Sequence, residues 1–329
     1  MAFAIRKLVQ WSCVLPLLAI GAAQAQQSAA PAYPTQPIKI VVPFPAGGGV
    51  DATARVLGEK LRARFGQMVV VENRTGAGGN LGAEYVASAA PDGYTLMNTA
   101  GGPLTINSML YKKVNYDPAA FEPIALLGYS PMVLAVRKDF PAKTISELIT
   151  YTKTNPGKVN FASQGNATTS HLSLELFQQL TGGKVSHVPY RGTAPAAADL
   201  IAGHVDAMFG EIATLIPLHN AGNIRILASA TNQRLAALPA IPTLQEHGLA
   251  NFRASAWFGF VAPPKTPPAI IKLLNEAVND ALKMPEVRQH LAKIHVEVIG
   301  GSPNELVGYI NDETKRWGDV IRLANIKLD

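Results

Sequence analysis

The sequence predicts an α/β protein built on parallel sheet, and three observations carry that prediction. Short β-branched runs alternate with amphipathic helical stretches through two successive blocks of chain. Two glycine-rich loops each stand between the end of a predicted strand and the start of a predicted helix. The chain has 329 residues, more than the ~100–200 of one ordinary domain.

The elements follow in order. Ile38 to Val42 is a β-branched strand, and Pro43-Phe44-Pro45-Ala46-Gly47-Gly48-Gly49 follows it. Ala54, Leu57, Leu61 and Phe65 then fall on one helical face, with Gly66 as the stop and Asp51 suited to the N-cap. Met68 to Glu72 is a second strand; Thr75-Gly76-Ala77-Gly78-Gly79-Asn80 leads into a helix over Leu81 to Ala89. Pro91-Asp92-Gly93 turns the chain into a strand at Tyr94 to Met97. The alternation resumes with strands at Pro131–Val136, Lys158–Ala162, Val185–Val188, Val205–Phe209 and Ile224–Ala230. Helices at Ile145–Thr154, His171–Thr181 and Ala196–Ala202 separate the first four of these. The C-terminal part is helical: Ile270, Leu273, Leu274, Ala277, Val278 and Ala281 form one apolar stripe. Ser302-Pro303-Asn304-Glu305 is a capping box with proline at the first helical position, opening a helix that runs through Trp317 to Ile321.

The N-terminus carries an export signal. Arg6 and Lys7 precede an apolar run from Leu8 to Ala23, broken by Gln10, Trp11-Ser12, Pro16 and Gly21, and Ala23-Gln24-Ala25 supplies the small residues of a cleavage site. The run falls short of the ~20 residues of a spanning helix, so residues 1–25 are expected to be a signal peptide removed on passage to the periplasm. Residues 26–33 open a Pro/Ala/Gln-rich stretch, Gln26 to Pro37, that reads as a solvated tether. Cleavage removes the single cysteine, Cys13, and with it any disulfide, thiolate nucleophile or cysteine metal site. It also removes two basic and no acidic residues, taking the formal charge from +6 to 6 − 2 = +4. A mild basic excess without basic runs suits anionic ligands by long-range steering and excludes a nucleic-acid binder.

Chemistry concentrates in the two glycine-rich loops, Pro43 to Asp51 and Thr75 to Asn80. Helix N-termini present unpaired N–H groups and the positive end of the dipole, and glycine lets the backbone approach an anion. In open α/β sheets such ligands lie at the carboxyl ends of strands. A nucleotide enzyme is disfavoured: no G-x-x-x-x-G-K-[ST] occurs, and Leu81 stands where G-x-G-x-x-G needs its last glycine. Phe161-Ala162-Ser163-Gln164-Gly165 resembles a nucleophile elbow but lacks its first glycine. An exported serine hydrolase around Ser163, with His171 or His187 as base, is therefore the minor alternative. The seven histidines form no i, i+4 pair and no H-E-x-x-H occurs; neither a metal nor a cofactor is expected.

Several motifs in fixed order carry a resemblance that covers nearly all of the chain after the leader. They are Pro43 to Gly49, Gly76 to Gly82, Pro91-Asp92-Gly93-Tyr94-Thr95-Leu96, Val188-Pro189-Tyr190-Arg191-Gly192, Asp199 to Gly203 with Asp206, Leu238-Pro239 to Pro242-Thr243, and Trp257 to Pro264 with Thr266-Pro267. Together they resemble the Bug-type, or TctC-type, receptors of tripartite tricarboxylate transporters. The resemblance implies a two-lobed Venus-flytrap of the type II periplasmic-binding fold, not an enzyme, that captures a small organic carboxylate. It implies a first lobe of residues 34–129 and 255–329, a second lobe of 130–254, and hinge crossings at Gly128–Ser130 and Ser255–Trp257. It also implies a monomer whose partner is a tripartite permease or, alternatively, a sensor kinase.

The same resemblance assigns ligand-binding residues. Phe44, Ala46, Gly47, Gly48, Asn80, Thr99, Ala100 and Gly101 would serve in the first lobe. Ser163, Gly165, Thr168, Thr169, Arg191, Asp206 and Glu211 would serve in the second. Arg191 would fork onto a carboxylate, and Asp206 would accept from a ligand hydroxyl or ammonium. The chain departs from the family pattern in two places. Gly210-Glu211 stands where many relatives carry an aspartate after the strand, and Leu104-Thr105 lies near the place of a common histidine. Glu211 is accordingly expected to face the cleft and to favour a ligand with a donor group.

Overall fold

The computed structural model describes residues 33–326; the expected signal peptide and all but the last residue of the expected tether lie outside the described residues. The first parallel unit is as expected. β1 (Ile38–Val42) lies between β2 (Val69–Asn73) and β3 (Thr95–Ala100), parallel to both, with Ile40 opposite Val71 and Leu96. α1 (Gly49–Phe65) and α2 (Asn80–Ala87) make the crossovers. Ala54, Leu57 and Leu61 of α1 are buried on the sheet. Gly66 ends α1 in the left-handed region at φ 66°, its N–H returning to the Arg62 carbonyl.

Beyond this unit the sheet changes character. β4 runs sixteen residues, Glu122–Arg137, of which only the second half was expected as strand. Pro123, Gly128 and Pro131 interrupt its pattern, and register shifts occur at Pro123/Ala125 and Leu126/Gly128. Residues 122–131 pair antiparallel with β9 (Ser255–Ala262), which itself pairs with β3. Residues 132–137 pair instead with β7 (Ala207–Glu211) and β8 (Ile224–Ser229). β5 (Asn160–Ser163) lies parallel to β7 and to β6 (Ser186–Pro189). One strand thus belongs to two wings of a curled sheet in the order β2-β1-β3-β9-β4-β7-β5-β6. At the changeover Tyr129 faces Trp257 and Ser130 faces Ala256, so the two expected hinge crossings are neighbours in one ladder.

The second wing carries α4 (Ile145–Thr154), α5 (Thr169–Thr181), α6 (Thr193–Ala202) and α7 (Ile212–Asn220). Its centre is aromatic: Phe209 of β7 stacks on Phe161 at 5.6 Å and on Phe252 at 5.5 Å, all three fully buried. Burying each such ring contributes about 1.5–3 kcal/mol. The first wing is covered by a short α3 (Asn107–Leu110), by α8 (Pro268–Lys283) and by α9 (Pro285–Lys293); β10 (Glu297–Val298) pairs with β4 beside Gly128. α10 (Pro303–Ala324) opens on the expected Ser302/Glu305 capping box. It starts against α8, where Asn275 and Asn279 hold the Gly301 carbonyl, and ends on α5, where Gln179 donates to the Val320 carbonyl. Among the described residues no helix is long and apolar enough to cross a membrane.

Candidate functional site

The loops that follow β1, β2, β3, β5, β6 and β7 all open toward one cavity of about 840 Å³ between the wings. This is where open α/β sheets place ligands.

On the first wing the 43–48 loop leads into α1, whose N-cap is Gly48 and whose first turn has no side-chain cap. Asp51 is not that cap: it lies three residues into α1 and works backward as a brace. Its buried carboxylate accepts from the Gly47 N–H, Arg55 Nε and Asn73 Nδ2, each at 3.0 Å. Asn73 also donates to the Phe44 carbonyl, tying the loop to β2. Burial opposes the charge on Asp51, but these donors outweigh it and hold its pKa below the usual value. The next loop takes four successive positive φ angles from Gly76 to Gly79, including Ala77 at 47°. Glycine is needed at 79, where an added Cβ would stand 2.9 Å from Pro103 and 3.1 Å from Phe44.

Phe44, Ala46, Gly47, Gly48 and Ala100 line the cavity. Asn80, Thr99 and Gly101 do not. Asn80 is buried behind the wall, its Oδ1 accepting from Asn107 Nδ2 at 2.6 Å and the Tyr116 hydroxyl at 2.7 Å. Thr99 has no exposed surface, and Gly101 lies under the Trp257 indole, which leaves no room for a Cβ.

On the second wing Gly165, Thr168, Thr169, Arg191 and Glu211 line the cavity. Gly165 (φ 131°) and Ala167 (φ 58°) shape the loop after β5. Thr168 caps α5, accepting from the His171 N–H at 3.3 Å and donating to the Gly165 carbonyl at 2.7 Å. The N-cap of α6 is Gly192, which offers no side-chain cap. Arg191, one residue earlier, is exposed, and no ion pair or hydrogen bond among the described residues involves it. Glu211 is half-buried, its Oε1 accepting from Gln164 Nε2 at 3.1 Å, and its carboxyl group lies beside Gly49 at the start of α1, where an added Cβ would stand 2.9 Å from Oε2. That second contact crosses from one wing to the other. Burial raises the Glu211 pKa, against the opposing pull of the neighbouring Gln164 and Gly49 N–H groups.

Two further expected residues, on the second wing, fall outside the cavity. Asp206 sits at the opposite end of β7 from Glu211, where it pairs with Arg137 Nε at 2.9 Å and accepts from the Asn160 N–H. The strand direction separates them, because the carboxyl end alone reaches the cleft. Ser163 is fully buried beneath the Gly165 loop. Its hydroxyl lies 2.7 Å from His187 Nε2 and accepts from the Gly165 N–H at 3.1 Å. His187 stacks on the buried His171 at 4.1 Å. Burial drives His171 down to about 3, with the neighbouring His187 adding to the shift, and burial drives His187 down to about 4. Both rings are therefore neutral at pH 7, and the pair supports the loop from behind.

The structure adds cavity residues that the sequence reading passed over, chiefly Tyr111, Asn166, Gln164 and Thr193. Gln164 Nε2 donates to both Thr193 Oγ1 and Glu211, linking the loops after β5, β6 and β7. Its place between Ser163 and Gly165 was the available signal. Tyr111 had none, since it lies far along the chain from every glycine-rich loop. Among the described residues no cluster of histidine, cysteine, aspartate and glutamate could hold a metal ion.

Comparison with known proteins agrees with this geometry. Protein BugT of Bordetella pertussis is 38% identical over 298 residues, 90% of this chain and 91% of that protein. The solved structure of R. palustris Rpa4515 with adipate superposes with a TM-score of 0.86 at 35% identity, covering 90% of this chain and 99% of that one. The periplasmic binding protein BugD superposes with a TM-score of 0.83 at 34% identity, covering 90% and 99%. The family model described as the tripartite tricarboxylate transporter family receptor matches residues 53–326. The two-winged α/β chain belongs to the tripartite tricarboxylate transporter receptor family.

Proposed function

We propose that this protein is a periplasmic solute receptor that captures a small organic carboxylate in the cavity between its wings and delivers it to a tripartite membrane transporter. The observation that carries this reading is the unpaired Arg191 guanidinium facing the same cavity as the uncapped N-termini of α1 and α6. A guanidinium fork and free helix N–H groups are both complementary to a carboxylate. The adipate complex of a 35% identical relative supports the ligand class.

The lobes in this reading are residues 34–129 with 255–329, and 130–254. The paired segments 128–131 and 255–258 serve as the hinge, and α10 lies along both lobes. Residues 1–25 direct export and are removed. Partners are the ligand and the permease subunits. The protein is a receptor and not an enzyme in this reading; Ser163, the nucleophile of the hydrolase alternative, is buried.

Thermal unfolding of residues 26–329 against mono-, di- and tricarboxylates, amino acids and aromatic acids tests the proposal. A ligand at a hundred times its Kd adds about 2.7 kcal/mol to the folded state and raises the midpoint by several degrees. No shift with any carboxylate would overturn it.

A further inference from the structure

A guanidinium and a carboxyl group line the cavity without pairing with each other. Arg191 stands exposed at its rim, on the loop before α6, with no partner among the described residues. Glu211 stands inside, at the end of β7, and none of the ion pairs among the described residues involves it. Its neighbours are neutral: Gln164 Nε2 donates to Oε1 at 3.1 Å, and the Gly49 backbone lies close to Oε2. Each carboxylate oxygen accepts about two hydrogen bonds, so Gln164 leaves most of the acceptor capacity of this cavity-lining group unused. A carboxylate withdrawn from water and lacking a cation is destabilised, and its raised pKa is the sign of that. A ligand ammonium would remove the penalty. A second ligand carboxylate at the same place would increase it.

Resting on the carboxylate-receptor reading above, we infer that the ligand is a zwitterion, an amino acid whose carboxylate pairs with Arg191 and whose ammonium pairs with Glu211. A cavity that sets a guanidinium apart from a carboxylate complements such a molecule at both ends and opposes a simple dicarboxylate at one. Gln164 is the positioning residue. By holding both Glu211 and Thr193, it keeps the acceptor fixed relative to the α6 N-terminus two residues beyond Arg191.

The test is titration calorimetry with matched pairs: L-aspartate and succinate, L-glutamate and glutarate, 4-aminobutyrate and butyrate. The wild-type protein is expected to bind at least one amino acid tenfold or more tightly than its deaminated partner. Glu211→Gln keeps the side-chain length and is expected to weaken the amino acid at least tenfold while leaving the deaminated partner equal or tighter. Tighter binding of the deaminated member of every pair by the wild-type protein would overturn the inference and leave the carboxylate reading standing, and that comparison needs no variant to fold. Equal binding within every pair, or a preference unchanged by Glu211→Gln, would do the same. Absence of binding by every amino acid and every acid would instead remove the receptor reading on which the inference rests.

Discussion

The α1 N-terminus packs against Phe258 of β9 on its own wing and against Glu211 of β7 on the other, and adding one methyl group at Gly49 tests that packing. An alanine Cβ at Gly49 would stand 2.6 Å from Phe258 Cζ, 3.3 Å from Phe258 Cε2 and 2.9 Å from Glu211 Oε2. Phe258 has no exposed surface and cannot swing aside. Overpacking of this kind costs about 1–3 kcal/mol. Gly49 does not occupy the left-handed region, so alanine also stabilises by about 0.4–1 kcal/mol through the unfolded chain. The net expectation for Gly49→Ala is a loss of about 1–2 kcal/mol. At roughly 2–4 °C per kcal/mol for chains somewhat shorter than this one, the midpoint falls by about 2–8 °C. Gly48→Ala, whose Cβ would meet nothing within 4 Å, is the control and should shift the midpoint far less. The assay is thermal denaturation of the ligand-free protein followed by far-ultraviolet circular dichroism. A double-mutant cycle with Phe258→Leu, which removes the struck ring edge, should recover about 1 kcal/mol as coupling. A Gly49→Ala protein that unfolds at or above the wild-type temperature would refute the reasoning.

Three further expectations follow from the same geometry. Arg191→Ala should leave stability within about 0.5 kcal/mol, because the side chain is exposed and unpaired. It should weaken ligand binding about 10- to 150-fold, the equivalent of a charge-assisted bond of about 1.5–3 kcal/mol, as read by calorimetry. Asp51→Ala removes a buried carboxylate that accepts from three donors and should cost about 2–4 kcal/mol in urea unfolding, with weaker binding as the 43–48 loop loosens. The stacked histidines give a pH dependence whose sign is fixed. Their folded pKa values, about 3 and about 4, lie below the ordinary 6.5, so the unfolded chain takes up these protons first. Their contribution is complete above pH 6.5 and is lost as pH falls from there toward 4. Two groups at ~1.4 kcal/mol per pH unit give about 4 kcal/mol between pH 6.5 and 5. Urea midpoints of the wild type and a His171→Asn, His187→Asn protein should diverge in slope over that window; equal slopes would contradict the assignment.

Local pattern exposed the repeating unit of the fold and the loops that end its strands. Ile38–Val42, the 145–154 helix and the Ser302 capping box were legible because strand composition, helical period and cap chemistry are short-range signals. β9 was not. Ser255 to Ala262 is a continuous apolar run buried almost throughout, and periodicity cannot identify such a segment. The first half of β4 was hidden by Pro123, Gly128 and Pro131, which bend the strand without ending it. α7 was missed for a related reason, since Pro217 lies inside it.

At the site, most of the expected residues in loops that follow strands line the cavity, and the others lie outside it. Asp206 precedes and Glu211 ends one short strand, yet only the carboxyl end of that strand reaches the cavity. Asn80, Thr99, Gly101 and Ser163 lie next to cavity residues in sequence but form the layer behind the wall. Neighbourhood in sequence cannot distinguish the layer that faces a ligand from the layer that holds it. The link from Gln164 to Glu211, forty-seven residues apart, is tertiary information alone.

A crystal structure of residues 26–329 with the tightest binder from the ligand panel tests the central claim most directly. The account predicts one ligand in the cavity between the wings, its carboxylate within hydrogen-bond reach of Arg191 and of the free N–H groups that open α6. A ligand bound elsewhere, or one in the cavity whose carboxylate meets neither Arg191 nor a helix N-terminus, would contradict it.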